Sequence, residues 1–97
     1  MRNCVVTVTP YFIVMTNPDP VTMVWEIRGD ATFADGGIRW KGRAARVFAP
    51  SKEGSSEKTA VFTNNRSAMG IFDYGVTVKQ GGRNCPELDP TGINTMP

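Results

Sequence analysis

Asp19, Asp30, Asp35, Asp73, Glu87 and Asp89 are the side chains best suited to acid–base chemistry in this chain. Two carboxyl groups held roughly 5 to 9 Å apart can serve as general acid and base, and a tighter group can hold a hard cation. Asp19, Asp30, Asp35 and Asp89, however, each stand beside a glycine or a proline. A short acidic side chain in that setting normally stabilises a turn, so the turn reading outweighs catalysis and no catalytic residue is assigned.

The composition narrows the chemistry further, because the chain holds no histidine. Imidazole-dependent serine and cysteine triads are excluded, as are two-histidine metal triads and most zinc catalysis. Type 1 copper is excluded too, since it needs two imidazoles and a thiolate. The two cysteines, Cys4 and Cys85, cannot build a four-thiolate site within one chain. No phosphate-binding loop, dinucleotide fingerprint or helix-loop-helix calcium loop occurs, so the expected cofactor and metal content is none.

Each cysteine closes an Arg-Asn-Cys triplet near one end of the chain. A bridge between them would close a long loop and stabilise by about 4 to 5 kcal/mol in the loop-entropy picture. No secretory leader is visible in "MRNCVVTVTP" and no stretch is long and apolar enough to cross a bilayer, so a cytoplasmic setting is expected. A reducing cytoplasm favours two free thiols over a bridge.

The formal charge of +2 conceals a local concentration. The segment "IRWKGRAARVF" carries Arg39, Lys41, Arg43 and Arg46 and no acidic residue. On an extended strand Arg39, Lys41 and Arg43 would share one face, a strip able to meet a phosphate backbone. Trp40 would then point to the opposite face with Ile38, so it cannot stack on a base over the same surface. A solvated outer face is the favoured reading of the strip. Burial is likewise favoured over a carbohydrate platform for Trp25 and Trp40, because both lie in phase with aliphatic neighbours.

The elements that must position these groups are strands. Val21, Met23, Trp25 and Ile27 alternate with polar positions in "VTMVWEI", and Phe72, Tyr74, Val76 and Val78 do so in "FDYGVTV". No window shows helical spacing. Further extended segments are expected at "NCVVTV", "YFIVM", around Phe33, at "IRW", "ARVF" and "TAVFT", separated by turns at "TNPDP" and "ADGG" and by the polar loop "APSKEGSSEK". About seven short strands without a helix is the pattern of an all-β, antiparallel two-sheet β-sandwich, with a small barrel as the competing architecture. At 97 residues, 1–97 form one domain, with a core expected from Val21, Met23, Trp25, Ile27, Phe33, Ile38, Trp40, Phe62, Phe72, Tyr74, Val76 and Val78.

Three short motifs carry a resemblance. They are Pro20, Val21 and Trp25; Gly70, Phe72, Tyr74, Val76 and Val78; and Asp89, Pro90, Ile93 and Asn94. Together they resemble a group of small uncharacterised bacterial β-sandwich proteins, cupredoxin-like or immunoglobulin-like, that close on an Asp-Pro-x-Ile-x-Asn ending. Gly92 and Ile93 stand where an apolar pair is usual. The resemblance implies that the tail is an integral closing segment, ordered through Asn94, with Ile93 packed inward and Asn94 satisfying open backbone groups. It implies no activity. The expected role is a non-enzymatic binding or self-associating module, with homo-oligomers forming through a sheet edge and no membrane partner. The alternative is weak nucleic-acid binding through Arg39, Lys41, Arg43 and Arg46.

Overall fold

The structure, a computed structural model, describes residues 4, 7, 8, 11–51 and 54–95. The strand expected at "NCVVTV" lies outside the described residues apart from Cys4, Thr7 and Val8. Alternation of apolar and polar side chains becomes strand wherever it persists. The strands are β1 (Phe12–Met15), β2 (Val21–Glu26), β3 (Thr32–Trp40), β4 (Phe48–Ser51), β5 (Thr59–Asn64), β6 (Gly70–Gln80), β7 (Arg83–Asn84) and β8 (Thr91–Asn94). One short 3₁₀ helix, Gly42–Arg46, precedes β4.

The strands form two open sheets, so the chain is all-β and not a closed barrel among the described residues. The larger sheet runs β1-β8-β6-β3, with β7 paired to β6, and the smaller runs β2-β5-β4. The antiparallel expectation is corrected at one place, where β1 and β8 run parallel with Val14 opposite Ile93. Nearly the whole chain separates these two strands, so no hairpin dictates their relative sense. The ladder continues past both ends, since Thr91 N–H donates to Tyr11 O and Thr95 N–H to Met15 O.

Two other expectations are corrected. The segment around Phe33 and "IRW" form a single strand, β3, rather than two pieces with a turn between them. Five residue steps from Phe33 to Ile38 face only two steps from Val78 to Val76, which marks a large bulge at "ADGG". Gly36 takes φ 62° there, and a Cβ on Gly37 would lie 2.9 Å from the Ala34 and Thr77 carbonyl oxygens. Glycine is therefore what lets the strand resume its pairing. The expected strand "ARVF" is the end of the 3₁₀ helix at Ala45 and Arg46 and a turn at Val47, with the β4 ladder beginning only at Phe48.

Aromatic side chains join the sheets. Trp40 of β3 stacks on Phe48 of β4 at 3.5 Å between centroids, and Trp25 of β2 meets Tyr74 of β6 edge to face at 5.4 Å. Trp25 Nε1 also donates to the Tyr74 hydroxyl at 3.2 Å, giving the tryptophan a polar partner as its ring is covered. Of the expected core, Met23, Ile38, Trp40, Phe72, Tyr74, Val76 and Val78 are buried, and Val21, Trp25, Ile27, Phe33 and Phe62 pack against them half-buried. Met15, Ala31, Ala44, Val47, Phe48 and Cys85 complete the core cluster among the described residues unforeseen.

The tail belongs to the fold. Gly81 and Gly82, with φ 61° and 76°, form the two-residue turn between β6 and β7, a conformation that favours glycine at both positions. Cys85 N–H donates to Val78 O and Leu88 N–H to Val76 O, laying the chain back along β6 before β8 inserts between β1 and β6. Within β8 the inward residues are Gly92 and Asn94, not Ile93, which is half-buried on the other face. Gly92 faces the rim of the Trp40 ring, where an added Cβ would lie 3.5 Å from Trp40 and from the Met15 methyl, an ordinary van der Waals distance.

Candidate functional site

Cys4 and Cys85 are joined as a disulfide, with 5.7 Å between their Cα atoms. This corrects the expectation of free thiols. The hairpin after β6 turns Cys85 inward against Val78, and Cys4 reaches it from the opposite end of the sequence.

The basic strip is dispersed by the local fold. β3 ends at Trp40, so Arg39 alone of the four sits on a strand, Lys41 follows it, and Arg43 and Arg46 lie on the 3₁₀ helix. Arg39 Nη2 donates to Glu87 Oε1 at 2.9 Å and Oε2 at 3.1 Å. Lys41 is bonded to Asp89 and lies 3.8 Å from Glu87. The hydrogen bond that Lys41 Nζ donates to the Asp89 carboxylate is the chief reason the Lys41 ammonium is held above its ordinary pKa. Arg43 places its guanidinium 4.7 Å above the Phe72 ring, a cation–π contact. Arg46 is exposed on the last turn of the helix.

The partner carboxylates come from the segment between β7 and β8, which no reading of the basic stretch alone could supply. Glu87 lies flat across Gly75, directly opposite Arg39 in the β3–β6 register. A methyl group at position 75 would collide with the Glu87 carboxylate. Gly75 thus opens the path by which Glu87 reaches Arg39.

The other carboxylates do not converge. Asp19 and Asp30 sit in bends and Asp35 in the β3 bulge. Asp73 accepts the Thr91 hydroxyl at 3.1 Å. Asp89 departs from the turn reading, because its side chain is committed to Lys41. Among the described residues, no group of three or more Asp, Glu, Cys or His side chains is placed to hold a metal ion, and no helix is long and apolar enough to cross a membrane.

Two features escaped the sequence reading. The first is a buried polar cluster at the end of the sheets. Asn64 and Asn94 exchange side-chain amide hydrogen bonds at 2.7 and 3.2 Å, and Asn94 Nδ2 also donates to Ala68 O. Beside them Arg66, 8% exposed, donates to Met15 O at 2.9 Å and to Thr95 O at 2.6 Å, tying the ends of β1 and β8 together. Arg66 holds a left-handed φ of 61°, a strained conformation for a non-glycine residue that the cluster maintains. The role foreseen for Asn94 is met by its bond to Ala68 O.

The second is apolar. Val14 of β1, Ile93 of β8 and Ile71 of β6 stand side by side in register on the outer face of the larger sheet. Val14 is 53% exposed and Ile71 67%. Each is out of phase with its strand's buried residues; only for Ile71, which shares a face with Asp73 and Thr77, is this visible in the sequence as an apolar residue on a polar face. A cleft of about 1000 Å³ also runs along β2, lined by Met23 and Trp25 on one side and by Ile13, Met15, Val76 and Val78 on the other.

Comparison with known proteins adds no relative: no family model, curated protein or solved structure matches the chain.

Proposed function

We propose that the chain is an immunoglobulin-like β-sandwich domain that binds or self-associates and carries no catalytic machinery. The strand order supports the fold reading. With β2 to β6 read as B to F and β8 as G, the observed orders β2-β5-β4 and β8-β6-β3 are the B-E-D and G-F-C sheets of that architecture. A buried tryptophan on the C-equivalent strand, Trp40, fits as well. A copper-bearing cupredoxin lacks its histidine ligands here.

Fold alone assigns no activity, and the role rests on a single observation: the apolar row Val14–Ile93–Ile71, exposed at Val14 and Ile71 and half-buried at Ile93. Apolar side chains aligned across three neighbouring strands present a flat surface whose removal from water is favourable. The disulfide also favours an oxidising setting over the reducing cytoplasm expected from the sequence.

Nucleic-acid binding through Arg39, Lys41, Arg43 and Arg46 ranks second. Arg39 and Lys41 already face carboxylates, so phosphates would have to displace them. Light scattering at low and high salt, with and without a single-stranded oligonucleotide, separates the two readings. Self-association predicts a mass above the monomer that salt does not lower and the oligonucleotide does not change. A monomer that joins the oligonucleotide only at low salt would reverse the ranking.

A further inference from the structure

We infer that the outer face of β1, β8 and β6 packs against the same face of a second copy of this chain, a partner assignment that rests on the self-associating reading above. A two-fold interface sets one patch against itself, so a patch with net charge repels its own copy. This face is balanced. Among the described residues, taking in the adjoining end of β3, its outward cations are Arg39, Lys41 and Lys79 and its outward anions Asp73, Glu87 and Asp89, three against three. Most of them are already tied within the chain, Arg39 to Glu87, Lys41 to Asp89, and Asp73 to the Thr91 hydroxyl. A phosphate backbone or a uniformly acidic partner finds no complementary field on such a surface, whereas an identical copy meets no repulsion.

The apolar row has the symmetry that a two-fold contact needs. Ile93 is its centre, with Val14 on the β1 side and Ile71 on the β6 side. A two-fold axis along β8 sets Ile93 against the partner's Ile93 and Val14 against the partner's Ile71. Every member of the row then meets an aliphatic side chain. The charged half stays low on the sheet, because Glu87 lies along the strand over Gly75 rather than standing up from it.

Sedimentation velocity over a concentration series tests the assignment on the intact, oxidised chain, with Ile71→Asp, Val14→Asp and Val24→Asp as variants. Val24 is an equally exposed control on the smaller sheet, 54% accessible. Thermal melting confirms that each variant folds. The expected result is a dimer that Ile71→Asp and Val14→Asp each weaken by about a hundredfold or more, through an unpaired charge in an apolar contact, and that Val24→Asp leaves unchanged. A dimer that survives both row substitutions overturns this face while leaving self-association standing. A monomer at every concentration overturns the inference and leaves only the binding half of the functional reading.

Discussion

Removing the Cys4–Cys85 bridge gives the largest single change in stability expected from this structure. The cysteines are 81 positions apart, so their bond closes most of the chain into one loop. Loop-closure entropy over that separation comes to about 15 cal/mol/K, or about 4.5 kcal/mol near room temperature. A domain of this size has only about 5 to 15 kcal/mol in total, so the bridge is a major share. At about 4 to 8 °C per kcal/mol, its loss should lower Tm by about 20 to 35 °C. The assay is thermal melting of the wild type with and without reductant, beside the Cys4→Ala/Cys85→Ala double variant, with thiol titration fixing the redox state of each sample. The reduced wild type and the double variant should melt together, far below the oxidised protein, and the double variant should ignore reductant. A shift under about 5 °C between samples shown to differ by two thiols would refute the reasoning, since the unfolded ensemble would then be little affected by the cross-link.

Two further outcomes follow from buried polar groups. Asn94→Ala removes three hydrogen bonds and leaves the fully buried Asn64 amide without its main partner; the expected loss is about 2 to 4 kcal/mol in urea unfolding, and a loss below about 1 kcal/mol would show that the cluster is replaceable. Burial raises the Tyr74 phenol above its ordinary value, with the Trp25 hydrogen bond opposing this in part. Because the folded state then holds that proton more tightly than the unfolded state, the Tyr74 contribution is intact below about pH 10 and is lost as pH rises through the folded value. Tyr74→Phe should be modestly less stable at neutral pH, through the lost bond from Trp25, yet show a shallower fall above about pH 10. An unchanged alkaline limb would place the titration elsewhere.

Alternation alone determined the β class and the two principal strands, because a side-chain period of two is a local property that survives wherever one face is covered. Met23, Phe72, Tyr74, Val76 and Val78 were legible as core for that reason. The absence of histidine likewise disposed of imidazole chemistry without any structure. What the sequence left hidden was whatever depends on distant partners. Glu87 and Asp89 neutralise Arg39 and Lys41 across nearly fifty positions, and no local pattern in the basic stretch announces them. The 3₁₀ helix that follows β3 took Arg43 off the strand face expected for Arg39, Lys41 and Arg43, because where a strand stops is set by its pairing with a neighbour and not by local periodicity. Asn64 and Asn94, and the row Val14, Ile93 and Ile71, become pairs or surfaces only once β8 enters between β1 and β6, and Cys85 meets Cys4 only once the hairpin after β6 lays it against Val78. Contacts of this kind depend on how the chain returns on itself, and that path is fixed by the burial of the whole core rather than by any segment of it.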